Sequence, residues 1–577
     1  MKRLMVLMMF VIPAALWAQP MVGRIPVSSP VEIVQLKALG ANIYSDETPG
    51  FVDVILDDTA YQRLTSAGYV IKDIVPLPLR ETDLIDPEYH TYEELTAQLA
   101  AYETQYPTLC KVDSIGRATQ FPRTMWAVKL SDNAPIEEDE IAVIYCGTHH
   151  GSEIVGCETL LYMIGHFLQN YGIDPEITQW MNSYEIWFLP LVNPDGHYAV
   201  TSNINLFWRK NARDIDLDST YYEFFGGTWW TNDHEGIDLN RNYNWYWSND
   251  GSSDPWNYDY RGSAPFSESE NQAVQSLAKL QHCVAGISFH SYGDVVIAPW
   301  TWPGSQYAPD QDVINTIGNA LASHFLKDNG SAFSYSIYPG QGGRFPNWFY
   351  GNMGTIAYDI ELCPYPMFIP PGSQLAERTQ RYMNGTVYLL ERLSGPGITG
   401  HVRDIQTGQP LAARVEIRGR ISPQVRPRFA EPQFGRFTRL LNNGTYAVLA
   451  AMTGYQTQRI ENVVVNNALT PLEIQMVPVA TGDSPTLTAG NRPQMEFRAN
   501  RAGDGYLGFN FNLPQSSSIS LRLYDIRGRE IATVINGFRN AGVHHATFSA
   551  NYLPTGVYFA RLVGAGFSQV EKIPIVK

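Results

Sequence analysis

The chain has 577 residues, 44% of them hydrophobic and 17% charged, with a net charge of −16. That length exceeds one hydrophobic core and predicts about three or four domains. The acidity excludes a nucleic-acid binder, which needs a basic surface to displace counterions.

In chain order, MKRLMVLMMFVIPAALWAQP opens with Lys2 and Arg3, an apolar run Leu4–Ala15 and a cleavage-like Leu-Trp-Ala ending at Ala18. The pattern predicts a signal peptide over 1–18 and a protein secreted or held at the cell surface. The run falls short of the roughly 20 apolar residues of a membrane span, and no transmembrane segment is expected. In residues 19–85, FVDVIL and YVIKDIV flank a helical stretch near Tyr61–Ala67, and a proline-containing link follows. This reads as a propeptide-like α+β segment.

Residues 86–395 alternate strand-like runs (Ile141–Cys146, Glu185–Leu191, Val284–Phe289, Val295–Pro299, Thr355–Ile360) with helical patterns (Tyr92–Tyr106, Glu153–Gln169, Glu268–Leu280, Asp312–Lys327, Gln374–Leu393). That alternation predicts an α/β domain with a largely buried sheet. From residue 396 helical periodicity stops and turn signals recur. Residues 396–480 and 495–577 read as two small all-β sandwich domains joined by a polar linker, 481–494.

The five cysteines, Cys110, Cys146, Cys157, Cys283 and Cys363, are an odd number with no CxxC. They read as small buried hydrophobes rather than a disulfide framework or a cysteine zinc site. DIDLDS (214–219) reads as a solvated acidic loop.

Ligands in open α/β sheets gather beyond the carboxyl ends of strands. His149, His150 and Glu153 follow Ile141–Cys146, Asn193–Gly196 follow Glu185–Leu191, His290 ends Val284–Phe289, and Glu361 ends Thr355–Ile360. If those strands are neighbours, two histidines and two glutamates meet at one edge. A catalytic zinc takes three N/O ligands and keeps one position open. His-x-x-Glu alone is a weak signal, and spacing leaves open which of His149 and His150 would bind.

HGSE (150–153), NPDG (193–196), FWRKNAR (207–213), DLNRNY (238–243), FSESE (266–270), FHSYGD (289–294), IYPGQGG (337–343) and IELC (360–363) stand in one order. In these motifs residues 88–394 resemble the zinc carboxypeptidase family typified by the pancreatic enzymes. The resemblance implies a mixed central sheet flanked by helices and a metallocarboxypeptidase that removes C-terminal residues from peptides and proteins. It implies one zinc ion held by His150, Glu153 and His290, with His149 outside the ligand set. It also implies Glu361 as general base, Arg209 polarising the scissile carbonyl, Asn240 and Arg241 gripping the terminal carboxylate, and Tyr338 closing over substrate. GGRFPNW carries one residue more than the pancreatic pattern, which loosens the matching of pocket residues but not of Tyr338.

Strand alternation puts Asp359 on the face of Glu361. An acid in the terminal side-chain pocket implies a preference for Lys or Arg, unless Arg344 or another base neutralises it. The alternatives are a murein-peptide carboxypeptidase and a non-catalytic peptide binder on the same fold. Export beyond the outer membrane disfavours the first, and a complete ligand set with its base disfavours the second.

GITGHVRDIQTGQPLAARVEIRG and NNGTYAVLAAMTGY resemble the transthyretin-like β domain of one carboxypeptidase branch. FNLP, LYDIRGRE, AGVH, LPTGVYF and the terminal Lys577 resemble the C-terminal sorting domain of the bacterial type IX secretion system. That implies its export machinery as a partner and places His544 and His545 in a sorting motif rather than a metal site.

Overall fold

The computed structural model describes residues 20–45, 50–77, 84–222, 235–299, 307–337, 342–422, 424–479, 497–502, 506–513, 517–539, 542–549, 553, 555–564 and 567–575. The expected signal segment 1–18, the linker 481–494 and Tyr338 lie outside them. Two compact units divide the chain, one ending at Pro478 and the other spanning Val479–Lys577.

The first unit opens with an antiparallel sheet, order β2-β3-β1-β4, built from β1 (Met21–Pro26), β2 (Asn42–Ser45), β3 (Phe51–Leu56) and β4 (Lys72–Pro76). Helices α1 (Pro30–Ala38) and α2 (Asp58–Ser66) pack with it. The Asp57 carboxylate accepts the Ala60 N–H at 2.6 Å and starts α2. FVDVIL is β3, whose last five residues are all buried.

Helix α3 (Tyr92–Gln105) begins at a capping box between Thr91 and Glu94. An eight-stranded mixed sheet follows: β5 (Cys110–Arg117), β6 (Thr124–Leu130), β7 (Ile141–Cys146), β8 (Tyr184–Leu189), β9 (Ala285–Ser291), β10 (Val295–Ala298), β11 (Ser334–Ile337) and β12 (Ile356–Leu362), in the order β11-β10-β12-β9-β7-β8-β6-β5. β12, β9, β7 and β8 run parallel and are buried along their whole length. Such strands need apolar residues on both faces, which is why they read as near-continuous hydrophobic runs. On one face Val143, Tyr145, Ile287 and Ile360 meet α4 (Val155–Asn170), α5 (Pro175–Met181), α8 (Gln311–His324), α10 (Leu375–Thr386) and α11 (Tyr388–Leu393). On the other, Ala142, Ile144 and Ala357 meet α7 (Ser269–Gln281) and α9 (Phe345–Trp348). Between β8 and α7 lies the short helix α6 (Pro194–Thr201).

Several boundaries differ from the hydrophobic pattern, and three of them have a visible cause. β9 and β12 each run two residues past their apolar stretch, so His290 and Glu361 sit on strands rather than beyond them. The cause is lateral: His290 and Glu361 are paired in parallel register, and the ladder continues where hydrophobicity stops. The pattern over Gln374–Leu393 breaks at Thr386, whose hydroxyl bonds back to the Tyr382 carbonyl at 2.7 Å and is followed by a second β-branched residue, Val387. Strands β5 and β11 carry too many polar residues to stand out as apolar runs.

All five cysteines are buried free thiols, and burial pushes Cys110 and Cys363 up to about 12. Residues 397–476 form two small sheets, β15-β13-β18 with β19 on β13, and β14-β16-β17, over one core that includes Val402, Ile417 and Val448; the strands are β13 (Gly397–Asp404), β14 (Arg414–Ile417), β15 (Arg436–Leu440), β16 (Gly444–Ala451), β17 (Gln458–Val465), β18 (Leu469–Pro471) and β19 (Ile474–Met476). They dock on the α/β part through buried Asp310, which accepts from Arg428 at 2.8 Å and Arg439 at 3.3 Å. Burial alone would raise Asp310, but Arg428, Arg439 and Arg420 hold its carboxyl down at about 2.

The second unit has a three-stranded and a four-stranded sheet on one core that includes Phe509, Leu521 and Leu562. LYDIRGRE is the turn between strands Ser517–Asp525 and Glu530–Arg539, and GVYFARLVG is strand Gly556–Gly564. The His544 ring stacks on Phe511 with centroids 5.2 Å apart.

Candidate metal centre and active site

The loop after β7 is fixed by its neighbours. Asn193 donates its amide N–H groups to the carbonyls of His149 (3.1 Å) and Lys210 (3.0 Å), and its amide oxygen accepts the Gly196 N–H. Gly151 donates to the Arg209 carbonyl at 3.0 Å. A Cβ on Gly151 would collide with the carbonyls of Gly196 and Trp208, so only glycine allows this approach. The loop therefore arrives with its histidines aimed along the sheet edge and with Arg209 stapled beside it.

At that edge His150 Nδ1 lies 2.8 Å from Glu153 Oε1, His290 Nδ1 lies 2.8 Å from Glu153 Oε2, and the two nitrogens are 3.2 Å apart. A tetrahedral ion about 2.0–2.1 Å from each nitrogen would space them about 3.3 Å apart. Two imidazoles and a carboxylate, all buried, form a three-ligand N/O set suited to zinc. The outer nitrogens are occupied: His150 Nε2 faces Asp238 Oδ1 at 3.1 Å, and His290 Nε2 faces the Ser288 hydroxyl at 3.0 Å and Asp359 Oδ1 at 3.6 Å. Such partners fix the ring orientation of metal-binding histidines.

His149 stands outside this set. Its Nε2 meets the Tyr243 hydroxyl at 2.9 Å and its Nδ1 the Ser288 hydroxyl at 2.8 Å. Burial, with His290 and His150 beside it, pushes His149 well below the ordinary histidine range. It is a neutral strut behind His290.

Arg209 Nε donates to Asp238 Oδ2 at 2.9 Å, and its Nη1 is 3.5 Å from Glu153 Oε1. Asp238 also caps the turn Leu239–Arg241 by accepting the Asn240 N–H at 2.9 Å. Burial alone would raise Asp238, but Arg209, Arg241 and His150 hold it well below the usual carboxylate range. Asn240 donates to Asp359 Oδ2 at 3.1 Å and accepts the Phe345 N–H at 2.8 Å. Arg241, fully buried, donates to the Asn240 carbonyl at 3.1 Å. Glu361 is buried on β12 beside His290.

Thus His150, Glu153, His290, Glu361, Arg209, Asn240, Arg241 and Asp359 share one site, while Tyr338 lies outside the described residues. Asp238, Ser288 and Tyr243 join them without having been singled out from the sequence. Asp238 stands inside DLNRNY, but nothing local reveals that its carboxylate serves His150. Asp214, Asp216 and Asp218 also come together, but their carboxylates accept their own loop's N–H groups.

A zinc carboxypeptidase family model matches residues 95–385, half of the chain. The chain belongs to the zinc carboxypeptidase family. A zinc carboxypeptidase A 1 of Anopheles gambiae is 28% identical over 323 residues, 54% of this chain and 69% of that protein. A carboxypeptidase B of Astacus astacus is 29% identical over 306 residues, 50% of this chain and 94% of its own. Among solved structures, thrombin activatable fibrinolysis inhibitor matches with a TM-score of 0.52 at 18% identity, covering 65% of this chain and 98% of that one. Carboxypeptidase A of Helicoverpa armigera matches with a TM-score of 0.53 at 17% identity, covering 64% and 97%. These likenesses show the α/β carboxypeptidase fold. This chain is a metallocarboxypeptidase, and its cofactor is zinc.

Proposed function

We propose that this metallocarboxypeptidase is an extracellular exopeptidase whose proton transfers are carried by Glu361. The observation that carries the reading is the parallel register that sets Glu361 beside His290, one of the three converging donors. His150, Glu153 and His290 would hold the zinc ion, which would supply Lewis acidity and acidify water toward a pKa of about 7. Glu361 accepts the proton and delivers it to the leaving amine. Arg209 donates to the scissile carbonyl oxygen, where charge builds, an effect of about 2.7–4 kcal/mol for one preorganised donor. Asn240 and Arg241 hold the substrate's free carboxylate, which an internal peptide bond lacks, and Tyr338 closes over it.

Asp359 supports a preference for terminal Lys or Arg, because it is buried next to Asn240. Leaving a buried charge unpaired costs about 2–5 kcal/mol, tens to thousands in rate ratio. The test is release of C-terminal residues from matched peptides ending in Arg, Lys, Leu, Phe and Glu, with Asp359→Ala alongside. Asp359→Ala is expected to lose Arg and Lys release selectively. Equal loss on Leu and Lys, with zinc lost too, would make Asp359 only a support for His290.

The N-terminal segment is proposed as an inhibitory propeptide. Tyr44 packs on Phe207, Tyr292 and Phe368, and the Tyr292 hydroxyl donates to Asp53 at 3.0 Å. Phe207 and Tyr292 stand two residues from Arg209 and His290 in the chain. Cleavage after Leu77 is expected to raise peptide hydrolysis at least severalfold, and unchanged activity would make the segment a folding aid only.

Secretion rests on the basic-apolar start, and cell-surface export through type IX machinery rests on the FNLP to Lys577 motifs. The transthyretin-like assignment of 396–480 rests on its sequence and is read as structural packing. Among the described residues no helix is long and apolar enough to cross a membrane.

A further inference from the structure

Asp250 follows the short turn Trp247–Asn249 and belongs to none of the motifs singled out from the sequence. Its Oδ1 accepts the Gly251 N–H at 2.9 Å, which turns Oδ2 inward. Two guanidiniums meet that oxygen: Arg344 Nε donates to it at 2.8 Å, and Arg241 Nε lies 3.5 Å away. Both arginines are buried, and the Asp250 side chain is 15% exposed. Arg344 also begins the segment that braces the site. Tyr243 N–H donates to the Gly343 carbonyl at 2.9 Å, Gly343 N–H donates to the Trp245 carbonyl at 2.7 Å, and Phe345 N–H holds the Asn240 amide oxygen. Gly343 has φ +69°, and a Cβ there would strike the Arg241 carbonyl.

We propose that Asp250 is a positioning residue: the shared counter-ion that sets the Arg241 guanidinium and ties it, through Arg344, to the segment holding Asn240. The inference rests on the reading of Asn240 and Arg241 as the grip on the terminal carboxylate. The charges fit that task. Two adjacent guanidiniums repel, and one carboxylate between them lets both stay buried. Among the described residues Asp250 meets Gly251, Arg241 and Arg344 rather than the metal ligands, so its effect falls on binding of the terminus rather than on the chemical step.

The test uses the zinc-loaded full chain, before and after release of its N-terminal module. It compares Asp250→Asn, Asp250→Glu and Arg241→Ala on one peptide with a free C-terminal carboxylate and on its C-terminal amide. Asp250→Asn is expected to raise KM for the free acid by roughly 10- to 100-fold, the cost of leaving a buried polar group short of its charged partner, with kcat and zinc content little changed. It should narrow the acid-over-amide preference toward that of Arg241→Ala. Asp250→Glu should restore part of the KM, and it carries the test if Asp250→Asn does not fold. An unchanged acid-over-amide preference in Asp250→Asn, with Arg241→Ala impaired, overturns the role of Asp250. An unchanged preference in Arg241→Ala overturns the carboxylate-grip reading and the proposal with it. A parallel fall of kcat on both peptides together with a lower Tm assigns Asp250 a merely structural part and also overturns it.

Discussion

Removing zinc is expected to reduce peptide hydrolysis by the full chain to background, and His150→Ala or His290→Ala to do the same without a chelator. The donor set has no spare member: two imidazole nitrogens 3.2 Å apart and one carboxylate supply all three ligands. Losing one leaves a buried, half-built site whose remaining groups turn to one another. Burial alone would lower His290, but Asp359 and Glu153 outweigh it and hold its pKa well above the ordinary histidine range. Burial would raise Glu153, but His150 and His290 bring it down to about 2. Metal ligands bind in their deprotonated form, so zinc competes with protons for these groups. Zinc affinity is expected to fall as pH falls, measured by competition with a chromophoric chelator. Full activity in protein shown by elemental analysis to be metal-free would sink the reading.

Glu361→Gln is expected to lower kcat by about 10²- to 10⁴-fold with zinc content and KM nearly unchanged. Glutamine matches glutamate in shape, so a site buried on β12 accepts it without a cavity. What it lacks is a basic oxygen. The His290 pairing is a backbone register and survives the exchange. If kcat stays within a few-fold of the parent, the proton goes elsewhere and Glu361 is a structural carboxylate. If zinc is lost as well, Glu361 supports the ligands instead.

Much of the site was legible because its chemistry is concentrated in short stretches. Ile141–Cys146 is a strand in the structure with the bounds its apolar run predicts, and the helical spacing after it is α4. The ordered motifs carried the family, and the family model covers the same region. His149 stood apart from the ligands by resemblance alone, and its bonds to Tyr243 and Ser288 give the physical reason.

What local sequence determined, then, was the strands with two buried faces, the helices packed on them and the residue types able to bind zinc. Apolar periodicity reports burial along one segment, and a His-x-x-Glu turn needs only its own residues. Tertiary structure alone decided that β12, β9 and β7 are neighbours, that β9 and β12 extend to Ser291 and Leu362, that Asp238 serves His150 and Arg209 together, and that Asp250 stands between Arg241 and Arg344. Each of these joins segments far apart in the chain. A hydrogen bond or ion pair between them depends on which strands the whole sheet brings side by side, and no single segment records that.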